Sequence, residues 1–319
     1  MLAGLPPEVG LYASILPLFA NSLLGSRMTL AVGPVAVISL MIAAAMGPIA
    51  TPSSPEYFGA AILLSLLTGA ILMGLGFARA GFLANLLSHS VISDFISASA
   101  ILIAVSQSKH ILGIPVYGHD IPSILLNLTT HLNETNLPTL VIGVCSMIFL
   151  FWVRSGLESL LIKIGVTAAV AGTVTRAGPV MAMIVSTTIV SVFALHHAGV
   201  SIVGVIPDGL PAPSLPELDL TLAKELLPVA FLISIVGFVA TVSVGHTLAA
   251  RRYERIQPNQ ELIGLGAANI ASGFGGGFRV TGGFSRSVVN FEAGAKTPFS
   301  GVITAIMIAM TTLFLTPLI

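Results

Sequence analysis

The chain has 319 residues, of which 55% are apolar and 8% charged. Lys plus Arg and Asp plus Glu number 13 each, so the net charge is zero, and mean hydropathy is +1.00. A soluble domain carries about 25% charged residues to clothe its core. The composition therefore excludes a soluble enzyme, excludes disorder, and leaves no basic footprint for nucleic acid. A single cysteine, Cys145, excludes a disulfide framework and any cysteine-based metal cluster. What remains is an all-α polytopic membrane protein with the lipid bilayer as its solvent.

A spanning helix takes about 20 mostly apolar residues. In chain order, the runs 11–24, 57–77, 91–112, 137–152, 178–195, 226–249, 262–274 and 301–319 read as spans. They are continuous rather than alternating with period two, so the bundle is helical and not a barrel. Two further apolar runs, 31–46 and 280–291, are shorter and interrupted. Residues 125–132 read as an interfacial helix, and 157–176 as a stretch along the inner face. No charged start region precedes Leu2, and the chain stops inside the apolar run 311–319, so it reads as truncated at both ends.

Loop charges set the orientation, because Lys and Arg near span ends are cytoplasmic. With residues 6–8 outside, the inner ends carry Arg27, Arg79, Arg154, Lys163, Arg176, Arg251, Arg252, Arg255 and Lys296. The outer side holds only Lys109 and Lys224, together with Glu56, Asp120, Glu134, Asp208, Glu217 and Asp219. The long loops 113–136 and 196–222 both fall outside. Asn127 and Asn133 each open a glycosylation-type triplet, a pattern that is common by chance.

The two interrupted runs share a grammar. In the first, an extended segment up to Gly33 breaks into a half-helix with Pro34 in its first turn, where a missing N–H costs little. In the second, the glycine-rich turn 273–277 leads to a strand at 278–281, and Gly282-Gly283 opens a half-helix near Phe284. Paired Gly/Pro-broken segments in corresponding positions of two halves point to a transporter binding site. Each half-helix start offers unpaired N–H groups and about +0.5 charge of dipole, which favours an anion. Arg286 adds a full charge in the first turn of the second half-helix, and Ser285 and Ser287 add hydroxyls. Arginine at mid-membrane costs about 2.5–3.5 kcal/mol, and a small anion substrate would offset it. The competing reading is a structural arginine paired with Glu292 or a carbonyl. Glu292 lies about 240° around the helix, a poor local partner.

Other motifs take bland readings. Residues 283–287 lack the last glycine of a nucleophile elbow, and His246 reads as an interfacial histidine rather than a base. Residues 273–277 form a tight turn, not a dinucleotide loop. His196-His197 is a solvated loop pair, so no metal and no cofactor are expected. Gly74, Gly76 and Gly266 are expected to allow close helix packing.

The segments 2–14 (LAGLPPEVGLYAS), 31–41 (AVGPVAVISLM), 95–104 (FISASAILIA), 258–269 (PNQELIGLGAAN), 284–290 (FSRSVVN) and 294–298 (GAKTP) resemble the SulP sulfate-permease family, which includes prestin and pendrin. The resemblance implies two inverted seven-helix repeats, the fold shared with uracil permeases. It implies a core built from 1–80 and 223–319 and a gate in 81–222, with further gate helices and a STAS domain beyond Ile319. It places an anion site at Val35 and Ala36 on one half-helix and at Phe284, Ser285, Arg286 and Ser287 on the other. It also implies elevator-type secondary transport of a small inorganic or carboxylate anion, sulfate foremost, by a homodimer in a plasma membrane, that of a bacterial inner membrane. A nucleobase permease of the same fold, or an uncoupled anion exchanger, is the alternative. Three departures stand out. Ala240 occupies the position of a family carboxylate linked to cation or proton coupling. Arg279 replaces a usual proline, and Asp94 a usual glycine.

Overall fold

The computed structural model describes residues 3–26, 30–85, 89–114, 121–202, 219–250 and 256–314. Its elements are α1 (Pro7–Tyr12), α2 (Leu16–Leu24), β1 (Val32–Gly33), α3 (Ala36–Met46), α4 (Pro55–Phe77), α5 (His89–Leu112), α6 (Ile121–Thr130) and α7 (Leu137–Trp152). They continue with α8 (Glu158–Lys163), α9 (Ala168–Arg176), α10 (Gly178–Val192), α11 (Leu220–Ala250), α12 (Pro258–Phe274), β2 (Thr281–Gly282), α13 (Phe284–Glu292) and α14 (Phe299–Phe314). The chain divides into two compact units, Met1–Ser99 with Val205–Ile319, and Ala100–Gly204.

Among the described residues, three helical runs are long and apolar enough to cross a bilayer: Pro55–Phe77, Leu137–Lys163 and Leu220–Ala250. The pair α9 and α10 also qualifies as one run, bent by 50°. Several predicted spans are redrawn. The run 11–24 breaks at Ala13–Ile15 into α1 and α2, with Pro17 in the first turn of the second piece. The stretch 157–176 is not one segment. A five-residue π-helical turn, Val153–Leu157, carries α7 straight into α8, and its wider winding seats Arg154, Ser155 and Gly156 without ending the helix. The end of the last predicted span, 315–319, lies outside the described residues, as do Arg27, Arg251, Arg252, Arg255, Asp120, Asp208 and Glu217.

In the first unit, α2, α4, α11 and α12 surround the core. Ile62, Leu64, Leu72, Leu226, Ile233, Phe238, Leu262 and Leu265 are fully buried there. Helices α4 and α12 approach backbone to backbone. A Cβ on Gly69 would sit 2.7 Å from Ile270 Cγ1 and 2.9 Å from the Gly266 carbonyl. One on Gly266 would sit 2.5 Å from Met73 Cγ, and one on Gly76 2.6 Å from Ile263 Cγ1. Ser65 Oγ then donates across the contact to the Asn269 carbonyl at 2.8 Å. Without a hydrophobic drive between helices in lipid, such close small-residue contact is what binds them. Gly76 and Gly266 thus do what was expected of them. Gly74 does not, since nothing lies within 4 Å of a Cβ there, and Gly69 takes the place in this contact.

The second unit has its own small clusters. Ile114 and Ile124 pack with Val105, Leu112 and Leu128, so the expected interfacial helix is α6, packed on its neighbours. Asn136 caps α7 by accepting from the Thr139 N–H at 2.9 Å and donates to the Ala198 carbonyl at 2.8 Å.

Gly266→Val should push α12 off α4 and lower stability by about 1–3 kcal/mol. Gly74→Val should leave it nearly unchanged. Thermal unfolding of the two variants in detergent, followed by monodispersity, checks the contrast.

Candidate functional site

The site is built from two breaks in helical structure that pair with each other. β1 and β2 are antiparallel, with Val32 opposite Gly282 and Gly33 opposite Thr281. The Gly283 N–H donates to the Ala31 carbonyl at 3.2 Å, extending the ribbon by one step. Each strand runs directly into a half-helix, β1 into α3 and β2 into α13. The strand expected at 278–281 is shorter and lies later, at Thr281–Gly282, because pairing partners exist only there. Pro34 sits one residue before the N-cap of α3 rather than in its first turn: Val35 is the extended cap residue, with φ −127° and ψ 134°. Gly283 is the matching cap of α13, with φ −94° and ψ 129°.

Neither cap has a side-chain hydrogen bond to its first turn. The first intrahelical bonds are Ser39 N–H to the Val35 carbonyl at 2.9 Å and Ser287 N–H to the Gly283 carbonyl at 3.1 Å. The N–H groups before them have no intrahelical acceptor. The two caps lie side by side, since a Cβ on Gly283 would be 3.4 Å from Val35 Cγ2. Both helix starts therefore present positive dipole ends to one place.

Other polar side chains hold the ribbon. Asn269 on α12 acts as a third strand: its Oδ1 accepts from the Val280 N–H at 2.9 Å, and its Nδ2 donates to the Val280 carbonyl at 3.0 Å. Ser272 Oγ donates to the Phe278 carbonyl at 2.6 Å. On the α11 side, the Gly282 N–H donates to Thr241 Oγ1 at 3.0 Å, and Thr281 Oγ1 donates to the Gly237 carbonyl at 2.9 Å. The tight turn at 273–277 is confirmed: Gly276 has φ +65°, and Gly277 lies where a Cβ would be 2.8 Å from Ala13 Cα, at the break between α1 and α2.

The residues singled out from the sequence separate into two groups. Val35 and Ala36 stand half-buried at the start of α3, and Phe284 and Ser285 stand exposed at the start of α13. Arg286 joins the two. It is half-buried, its Nη2 donates to the Pro34 carbonyl at 3.1 Å, and its guanidinium occupies the space a Cβ on Gly33 would need. The carbonyl partner weighed from the sequence is thus present, while Glu292's side chain lies outside the described atoms. A neutral carbonyl orients the guanidinium without cancelling its charge. Ser287 is different. It is fully buried, and its Oγ accepts from the Ala31 N–H at 3.0 Å, so it ties α13 to β1. Ala240 is half-buried on α11, and Asp94 and His246 are exposed. The rings of His196 and His197 lie against each other, centroids 3.9 Å apart and tilted by 43°.

Sequence reasoning missed three participants. Asn269 stands in the apolar stretch of α12, where an amide demands a partner, and that was the available signal. The pairing of β1 with β2 joins residues about 250 apart and left no local mark. The third is Arg279, noted as an unusual residue but not as a buried one: it is fully enclosed.

Two half-helices thus start from one antiparallel strand pair, with Arg286 beside both starts, in a bundle of apolar helices. The comparisons give the particular family. The profile of the sulfate permease family matches residues 1–319, and the chain belongs to that family. It is 39% identical over 318 residues to "Sulfate transporter 4.1, chloroplastic" of Arabidopsis thaliana, covering 99% of this chain and 45% of the relative. It is 34% identical over 313 residues to a "Probable sulfate transporter" of Mycobacterium tuberculosis, covering 98% and 53%. The structure superposes on SLC26A9 with a TM-score of 0.85 at 28% identity, covering 98% of this chain and 50% of that one. The transmembrane domain of the cyanobacterial bicarbonate transporter BicA shares the fold, with a TM-score of 0.80 at 20% identity over 99% of this chain and 77% of that one. The chain spans about half the length of the curated relatives it matches.

Asn269→Leu should leave the Val280 N–H and carbonyl buried without partners, at about 1–3 kcal/mol for each group. A lowered melting temperature, with Asn269→Gln recovering little because its amide sits one methylene too far out, checks the third-strand role.

Proposed function

We propose that this chain carries the anion site of a secondary transporter that moves small oxyanions, sulfate foremost, by an elevator motion of a core against a gate. One observation carries the reading: Arg286 lies between two adjacent half-helix starts, and among the described residues its hydrogen-bond partner is a neutral carbonyl. Such a site is electropositive from three sources and has no carboxylate bonded to it among the described residues. Val35, Ala36, Phe284 and Ser285 line it, Arg286 supplies the charge, and Ser287 braces it. The core is residues 1–80 and 223–319, and the gate 81–222. The compact unit Ala100–Gly204 falls inside that gate segment. The names of the Arabidopsis and mycobacterial relatives and the murine Slc26a9 "anion transporter" support an anion as cargo. A homodimer in a bacterial inner membrane completes the reading, with cross-linking and membrane fractionation as its tests.

In the complete transporter, Arg286→Ala should weaken sulfate binding by about tenfold or more, the worth of a hydrogen bond to a charged group. Competition binding at several ionic strengths, with uracil as the control ligand, measures it. Unchanged sulfate affinity would remove Arg286 from the site.

Coupling follows from Ala240, which can hold neither a proton nor a cation. Sulfate uptake into proteoliposomes should change little between about pH 5 and 8, the range in which a histidine or a buried carboxylate titrates. Steep accumulation driven by an imposed proton gradient would place coupling at another group.

A further inference from the structure

Arg279 is among the largest fully buried side chains of the protein. It precedes β2 by two residues and therefore shares a strand face with Thr281. Both side chains reach α11, one helical turn apart. Thr281 donates to the Gly237 carbonyl at 2.9 Å, and Arg279 Nη2 donates to the Ile233 carbonyl at 2.9 Å. The fit is metric: two strand residues rise about 6.6 Å, and four helix residues about 6 Å. Gly237 makes room, because a Cβ there would overlap the guanidinium. Among the described residues, Arg279 Nε and Nη1 have no hydrogen-bond partner. The described residues place no carboxylate against it.

A guanidinium keeps its proton, so a full positive charge is locked into the interior with two donors unused. Retaining a buried charge without its partner is strongly unfavourable. Among the described residues the Ile233 carbonyl is its one hydrogen-bond acceptor and is neutral, so the charge of Arg279 stays whole and its field reaches an anion held nearby. Arg279 lies four residues before the α13 cap, about 13 Å along an extended chain, close enough to act on an anion held there through a poorly screening interior.

We propose that Arg279 is a resident counter-charge for the anion at the half-helix starts, and that it makes this chain favour doubly over singly charged oxyanions. The inference rests on the transport reading above and deepens it. With Arg286 and Arg279 both fixed, a dianion brings the loaded site to zero net charge, whereas a monoanion leaves it at +1. Each unit of ligand charge interacts once more with Arg279, and at about 13 Å and an effective dielectric of about 20 this amounts to roughly tenfold in affinity per charge. The preference for dianion over monoanion is therefore set in part by a residue that never touches the ligand. Arg279 is a positioning charge, not a contact.

The test compares sulfate with nitrate in competition binding to the complete transporter, in wild type and in Arg279→Met and Arg279→Lys. The expected result is that Arg279→Met lowers the sulfate-to-nitrate preference about tenfold, while Arg279→Lys keeps most of it. A folded, monodisperse Arg279→Met with the wild-type preference overturns the proposal. If Arg279→Met does not fold, Ala240→Glu takes its place. That carboxylate lies three residues along α11 from Gly237 and should neutralise the guanidinium, with the same fall in preference. An unchanged preference in Ala240→Glu overturns the proposal as well. Failure of the underlying reading looks different: wild type then binds neither anion, and the anion-site assignment falls along with the counter-charge.

Discussion

The strand pair between Val32–Gly33 and Thr281–Gly282 is the contact on which the rest depends. In a bilayer interior, backbone that leaves the helix must find hydrogen-bond partners inside the protein. Two segments, one from each half of the chain, break from helix at the same place and satisfy each other. What they cannot satisfy is taken up by side chains on three helices: Asn269 and Ser272 of α12, Thr241 of α11 and Ser287 of α13. These polar side chains supply donors and acceptors to the ribbon. The free helix starts are a by-product of the same break, and the proposed anion site is built on them.

The pairing has a geometric price, met by glycine. Gly33 yields its side-chain space to Arg286, and Gly237 yields its space to Arg279. Gly69, Gly76 and Gly266 let α4 and α12 close behind the ribbon. Packing and electrostatics are therefore linked. The close α4–α12 contact fixes Asn269, which fixes Val280, which fixes where the residues on either side of it point. One neighbour, Arg279, turns to α11, and the other, Thr281, turns the same way. A substitution in the helix contact can thereby reach the charge distribution of the site without touching it.

The electrostatic character is lopsided. Both interior arginines are held by backbone carbonyls, Pro34 for Arg286 and Ile233 for Arg279. Carbonyls orient a guanidinium and leave its charge whole. The buried carboxylate of the same unit, Glu261, is engaged elsewhere: it accepts from Ser26 Oγ, where α12 meets the segment following α2. Among the described residues, neither arginine is bonded to a carboxylate.

Composition and run length determined the class of molecule, because a bilayer imposes its thickness and its dryness on every segment. Broken apolar runs with Gly33-Pro34 and Gly282-Gly283 located the two half-helices, and the bare positive charge of Arg286 pointed to an anion. These features are local, so they are written in consecutive residues. The sequence also misdirected at places where the neighbour decides. It made Gly74 a packing glycine when α12 passes over Gly69 instead, and it put Pro34 inside the half-helix. Only the tertiary structure joined the two strands across about 250 residues, made Asn269 a third strand and enclosed Arg279. Those outcomes depend on which elements lie against which, and no period or motif along a single chain encodes the identity of a distant neighbour.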